Sequence, residues 1–569
     1  MAISDPHSHA DLSQGRIKHV DLQVKVDFQA RALRIRAHYN LQKPAAGILS
    51  LDGRGLNIGR VFSTAGPIEY ETGASDPILG ERISIMLGEP TDAFTIELTT
   101  APDAKALQWL DANKTAGGRQ PFLYSQCQPI HARSVFPCQD SPSVRFTYTA
   151  QLEVPKGLTA VMAAEHIGTD TQGDTDIYSF RMPQPIPAYL FALAVGDLHF
   201  RELGPRTGIY AEPQILDAAA WEFEENERRL TEAEKLFGPY LWDRYDLLIM
   251  PPSFPYGGME NPRLTFLTPL AVRGDRSRTW LVSHELAHSW LGNLVTNATW
   301  EDFWLNEGWT TYAQDRITEL IEGADFAQLG LLINLDILRE DMKALGPDSN
   351  LTCLKTNMKG VDPDEAYSNV PYVKGDLLIL SLERAVGRET FDAFMRGYIS
   401  NHRFQSLTTD DFLAYLEQGL PAALEHLDIR QWLYEPGLPS PLPEVRSILY
   451  DSVNESIMSY GRGNLPDADQ VRLWHPDQKE LFLRLLPETI PSEHCRYLGS
   501  LFQLAGSRNK SLLFEYCRLC VRSGYRAILT EIESFVTEVG NLYALTRLFR
   551  CLVGTQWTRD MARPMFESA

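Results

Sequence analysis

The sequence predicts a multidomain α+β protein: a β-sheet N-terminal third, a mixed middle region and an α-helical C-terminal end. Three observations predict it. Stretches that alternate apolar and polar residues fill the chain up to about residue 200, long helical patterns begin near residue 201, and a proline-rich window from Leu433 to Glu444 precedes a final run that reads as almost wholly helical. At 569 residues and 44% hydrophobic content, the chain is far longer than a typical domain of roughly 100 to 200 residues and has apolar material for several cores. The expected division is 1–200 for the sheet domain, 201–436 for the middle domain, 437–444 for the linker and 445–569 for the helical domain.

Each element has a local reason. "HVDLQVKVDF", "RALRIRAHYNL", "AFTIELTTA" and "VRFTYTAQLEV" alternate with period two and are rich in β-branched residues, which predicts half-buried strands of a mainly antiparallel sheet. "AAWEFEENERRLTEAEKLFGPYL" reads as one long helical stretch, and "YDLLIMPP" as a buried strand behind it. Pro436, Pro439, Pro441 and Pro443 break any periodic element and mark the linker. Beyond it, "KSLLFEYCRLCVRSG", "YRAILTEIESFVTEVG" and "NLYALTRLFRCLVG" suggest stacked helical pairs without a clean repeat.

Composition excludes some partners. Fifty-three Lys and Arg against 74 Asp and Glu give a formal charge of -21, which opposes binding to nucleic acid or an anionic membrane. "MAISDPHSHADLSQG" lacks the basic start and apolar core of a secretory signal, and stretches such as "YLFALAV" are too short to span a bilayer. Seven scattered cysteines suit reduced thiols, so a soluble cytoplasmic protein is expected. Cys517 and Cys520 form a lone CxxC in apolar helical surroundings and read as buried thiols, while His7 and His9 lack further ligands nearby and read as a plain N-terminal segment.

The chemistry is concentrated in "LVSHELAHSWLGNLV", Leu281 to Val295. On a helix His284 and His288 stand one turn apart on one face, so both imidazoles reach a single ion, while Glu285 points about 100° round the axis. A third ligand separates a zinc site from an ordinary histidine pair, since zinc hydrolase sites commonly hold three protein ligands and leave one position for water. Glu307 in "TWEDFWLNEGWTTY" supplies it, eighteen residues beyond His288 at the start of a second helical pattern. Glu307 also suits a bland role as a carboxylate at a helix N-terminus. Two histidines and a carboxylate with a neighbouring glutamate point to metal-assisted amide hydrolysis, Glu285 taking a proton from water and passing it to the leaving amine. Upstream, "PYGGMENPRLTF" pairs two glycines with Glu260, which suits either a glycine turn or close backbone approach of a ligand whose positive charge Glu260 holds.

Gly-Gly-Met-Glu-Asn before His-Glu-x-x-His, with an eighteen-residue gap to Asn-Glu-Gly, resembles peptidase family M1. "FLYSQCQPIHARSVFPCQDSPSVRFTYTA", "DPDEAYSNVPYVKG" and "QWLYEPGLP" make it similar to the leukotriene A(4) hydrolase-like branch and its bacterial aminopeptidase relatives. The resemblance implies an N-terminal β saddle, a thermolysin-like zinc catalytic domain and an α-helical C-terminal domain over a deep cleft. It implies one zinc on His284, His288 and Glu307, and general base duty for Glu285. It also implies a grip on the substrate's α-ammonium by Glu260 with Gln128, and backbone contacts along Gly257, Gly258 and Met259. Tyr372 matches the family's transition-state tyrosine, and Tyr367 and Asp364 match pocket residues, the aspartate being linked in the family to epoxide hydrolysis. The implied activity is a monomeric zinc aminopeptidase on short peptides with broad, neutral or basic first residues, with epoxide hydrolysis as the alternative. One departure stands out: the family's Gly-Arg-x-Lys segment reads Gly540-Asn541-Leu542-Tyr543 here, which removes both carboxylate-binding cations and leaves Arg547 as the nearest substitute.

Overall fold

The computed structural model describes residues 5–346, 348–540 and 542–568, with side chains described throughout except at 542, 543 and 568. Asn541 and the side chain of Tyr543 lie outside this set.

The alternating segments form a nine-stranded sheet. Its long strands run in the order Thr175–Pro187, Arg145–Pro155, Ile17–Asp27, Ala32–Gly53 and Glu81–Thr99, antiparallel except where Ile17–Asp27 lies parallel to Arg145–Pro155. Period two is visible in burial, with Val20, Leu22, Val24 and Val26 inward on the first strand. A four-stranded sheet packs with it and includes Phe122–Ser125, which leads into the loop carrying Gln126, Gln128 and His131.

The sheet partner changes at His199. His199–Gly204 pairs with Thr207–Ala211 in a second, five-stranded sheet that continues through Tyr245–Ile249 and Leu264–Leu267 to the edge strand Gly258–Met259. The long helical stretch expected across residues 219–241 is instead two helices, Pro213–Glu222 and Asn226–Phe237. The break lets Phe223 enter the core and turns Glu222 inward, where its carboxylate accepts from the backbone N–H of Gly274 at 2.6 Å and of Arg276 at 2.8 Å. Tertiary hydrogen bonds override helix propensity there.

Two helices beyond the sheet frame the site, Thr279–Ala287 and Trp304–Ile321. A third, Gly375–Val386, follows a π-helical turn at Val370–Lys374 and crosses the second at a glycine pair. A Cβ on Gly308 would stand 2.7 Å from the Cα of Gly375, closer than any real Cβ contact. The absence of both side chains lets the turn carrying Tyr372 lie directly against the helix carrying Glu307.

One continuous apolar core runs through the sheet domain and the middle domain, and a second core forms among the C-terminal helices from Ile448–Gly461 onward and takes in Leu329 of the middle domain. The proline-rich stretch joins the two without regular structure from Glu435 to Ser447. Cys517 and Cys520 are both fully buried free thiols on the Lys510–Arg522 helix, as expected from their surroundings. Gly540 abuts the middle domain so closely that a Cβ there would meet the carbonyl oxygen of Pro252 at 2.1 Å. The N-terminal arm is more than a plain segment: His7 is 1% exposed, and its Nε2 donates to the carbonyl of Val361 at 3.0 Å. Its own carbonyl accepts from Arg133 Nη2 at 2.7 Å. Among the described residues no metal-ligating group includes His7 or His9.

Candidate active site

The Thr279–Ala287 helix ends at His288, which caps it while keeping helical dihedrals, so the one-turn spacing of His284 and His288 holds to the end of the element. Their Nε2 atoms face each other at 3.2 Å. Glu307 enters from the first turn of the Trp304–Ile321 helix, its Oε2 lying 3.4 Å from His284 Nε2 and 3.5 Å from His288 Nε2.

The tautomers follow from neighbours that the sequence reading missed. The hydroxyl of Thr310 donates to the carbonyl of Leu291, so its oxygen accepts from Nδ1 of His288 at 3.1 Å. Gln314 donates its amide to Asp315 Oδ1 at 3.0 Å, which turns its carbonyl toward Nδ1 of His284 at 3.1 Å. Each Nδ1 therefore carries a proton, and Nε2 is the atom that each ring offers to a metal. Glu307 Oε2 is buried with no hydrogen-bond partner. Three ligand atoms thus converge in a buried site, an arrangement that fits a bound cation. Two nitrogens and one carboxylate oxygen suit zinc and leave a position for water. Thr310 and Gln314 stand three and seven residues after Glu307, on its face of the helix, and that spacing was the available signal. Gln314→Leu is expected to weaken zinc retention by about 10- to 100-fold in a chelator competition, and unchanged retention would remove its orienting role.

The buried carboxylates favour a cation at this place, carried as a proton on His288 where no metal competes for its Nε2. Burial opposes a charge on His288, yet Glu260 and Glu307 outweigh it and raise its pKa to about 9. Burial pushes Glu307 up, but His288 and His284 bring it down to about 2. Glu285, 5% exposed, is raised well above the usual carboxylate range, first by burial and then by Glu260 and Glu307, with His288 opposing. A carboxyl held this high has the proton affinity a general base needs.

Glu260, Glu285 and His288 form a second buried group whose ligand atoms lie within 4.8 Å of one another. Glu260 is raised to about 7 by burial, with Glu307 adding and His288 and Gln128 opposing. Gln128 Nε2 donates to Glu260 Oε1 at 3.1 Å, and Asn293, another residue missed in sequence, donates to the Glu260 carbonyl at 2.7 Å. Met259 receives the amide of Gln126 on its sulfur at 3.1 Å. Gly257 lies open beside Leu281, whereas a Cβ on Gly258 would stand 2.1 Å from Glu285 Oε1. That position therefore has no room for a side chain while Glu285 keeps its place. Gly258→Ala is expected to displace the Glu285 carboxylate and cost about a hundredfold in kcat. A variant of unchanged kcat would show that Glu285 tolerates the shift.

The Tyr372 ring lies over His284, centroids 6.0 Å apart and 23° between planes, and Tyr367 meets Tyr372 edge-on at 5.9 Å. Burial and the Glu307 charge hold the Tyr372 hydroxyl well above its ordinary pKa, so it remains a proton donor. Asp364 sits farther out on the same segment, engaged by His131 Nε2 at 2.9 Å and Lys105 at 3.6 Å. Arg547 is half-buried on the Leu542–Gly554 helix.

A mixed middle sheet with an antiparallel edge strand beside a His–His–Glu centre defines a metallopeptidase. Residues 221–432 match the peptidase family M1 domain, residues 17–190 the peptidase M1 N-terminal domain, and residues 474–569 the C-terminal domain of leukotriene A4 hydrolase. Leukotriene A-4 hydrolase of Xenopus laevis is 37% identical over 98% of this chain and 95% of its own length, and leucine aminopeptidase 2 of Chaetomium globosum is 34% identical over 99% and 96%. The structure of yeast LTA4 hydrolase in complex with bestatin superposes with a TM-score of 0.92 at 31% identity, over 100% of this chain and 95% of that one. The chain belongs to peptidase family M1, with the family's three-domain architecture.

Proposed function

We propose that the protein is a zinc aminopeptidase that removes the first residue from short peptides. The observation that carries this reading is the shared wall between the two buried groups: His288 belongs both to the metal set and to the set with Glu260. A substrate ammonium held by Glu260, with Gln128 beside it, leaves only the first peptide bond within reach of the metal position. Gly257 and Gly258 are half-buried at the outer strand of the middle sheet and, with the buried Met259, offer the substrate backbone a sheet edge.

His284, His288 and Glu307 would hold one zinc per chain. Zinc, when bound, supplies a Lewis acid that favours water attack and polarises the scissile carbonyl. Glu285 takes the proton of the attacking water and returns it to the leaving amine. Tyr372 donates to the oxyanion of the tetrahedral intermediate. Tyr367 holds the Tyr372 ring at its edge. This reading takes the protein as a monomer of the cytoplasm, acting away from membranes and nucleic acid. The net charge of -21 weighs against nucleic acid and anionic membranes, and among the described residues no helix is long and apolar enough to cross a membrane. The reading keeps the division into 1–200, 201–436, 437–444 and 445–569, and the His199–Gly204 strand straddles the first boundary.

The test is release of free amine from alanyl and arginyl anilides and their N-acetylated forms, with and without a zinc chelator. Chelator-sensitive cleavage of the unblocked compounds alone is expected, and equal cleavage of both forms would remove the aminopeptidase reading. A second reading, epoxide hydrolysis, draws on the relative named leukotriene A-4 hydrolase and on Asp364. It requires epoxide turnover that Asp364→Asn abolishes while peptide cleavage survives.

A further inference from the structure

The segment that leads to Tyr367 and Tyr372 carries a carboxylate that the peptide chemistry leaves unexplained. Asp364 is 32% exposed at its side chain. It stands three residues before Tyr367, which is itself 60% exposed and packs on Tyr372. It also lies within electrostatic reach of Tyr256, the residue preceding Gly257, whose hydroxyl is raised to about 12 by burial first and Asp364 second. Alone, such a carboxylate on the segment leading to Tyr372 would attract any arginyl or lysyl side chain that reaches it.

It is not alone. Lys105 reaches over from the N-terminal domain, just ahead of the Leu107–Leu110 strand, and its Nζ lies 3.6 Å from Asp364 and 3.7 Å from Asp362. His131, 9% exposed, holds the same Asp364 oxygen at 2.9 Å. Arg54 feels both carboxylates as well. Two acids thus meet one permanent cation and an imidazole at close range, with Arg54 within electrostatic reach. An incoming guanidinium would have to displace Lys105 or share its partner, and an uncharged side chain meets no such competition.

We propose that Lys105 is a specificity-determining residue: by neutralising Asp364 from the neighbouring domain, it sets the pocket to favour uncharged first residues over arginine and lysine. This rests on the aminopeptidase reading above. Lys105 does not touch the reacting atoms. Its side chain is 42% exposed, so its removal is compatible with folding and its electrostatic effect is that of a partly screened pair.

The experiment measures kcat/KM of the full-length zinc enzyme on alanyl, leucyl, arginyl and lysyl nitroanilides. The wild type is expected to prefer the uncharged pair. Lys105→Met is expected to raise the arginyl-to-alanyl ratio about fivefold, while alanyl turnover and the thermal midpoint stay in place. Lys105→Arg should keep the wild-type ratio, and adding Asp364→Asn to Lys105→Met should return the ratio toward the wild-type value. A wild type that prefers arginyl substrate overturns the proposal. So does a Lys105→Met variant with an unchanged ratio, or one that loses activity on all four substrates in proportion, the mark of a merely structural tie. Absence of turnover on every unblocked anilide would instead strike the aminopeptidase reading itself, so the two failures are distinguishable.

Discussion

Glu285→Gln is expected to lower kcat/KM by about a thousandfold, the worth of a positioned general base. The substitution is nearly isosteric, and the amide still fits beside Gly258, where the three atoms nearest a built Cβ all belong to this side chain. What disappears is proton affinity. The native carboxyl is buried among Glu260, Glu307 and His288 and held well above its ordinary range, and an amide in that place accepts no proton from water. The metal set is untouched, so zinc content should remain at the wild-type level. Loss of both zinc and activity would mean that Glu285 supports the metal, and activity within tenfold of wild type would assign the proton to another group.

Glu260→Gln is expected to lower kcat/KM on free-amine substrates by about a hundred- to a thousandfold, chiefly through KM. Truncating one partner of a buried charged pair costs roughly 2 to 5 kcal/mol. Glu260 is 4% exposed, and its backbone is fixed by Asn293, so the amide variant keeps the fold and loses only the charge that answers an ammonium. N-acetylated substrates lack that charge and should respond little. A parallel loss on blocked and unblocked substrates would mean that Glu260 acts through His288 and not on the substrate.

The metal set was legible because each part is a local signal: two histidines one turn apart, then a carboxylate opening a helix. The strands were legible for the same reason, since period two survives in "HVDLQVKVDF" whatever it packs against. The helix break at Phe223 to Glu225 was not, because it depends on the amides of Gly274 and Arg276, some fifty residues away in sequence. Gly308 and Gly375 each look like ordinary glycines until the two backbones are brought together. The family resemblance placed Asp364 in the pocket, but the lysine that answers it sits in another domain, in a stretch with no motif. Gln314 lay within reach of helical spacing, though its carbonyl orientation depends on Asp315.

The N-terminal arm bears on how the protein is handled. His7 binds the carbonyl of Val361, and Val361 leads directly into Asp362 and Asp364. A purification tag joined ahead of Asp5 therefore starts from chain that props the pocket wall. Kinetic constants from tagged preparations should be compared with those from protein whose tag has been cleaved or moved to the other terminus, because a handle at this end belongs to the assay as well as to the column.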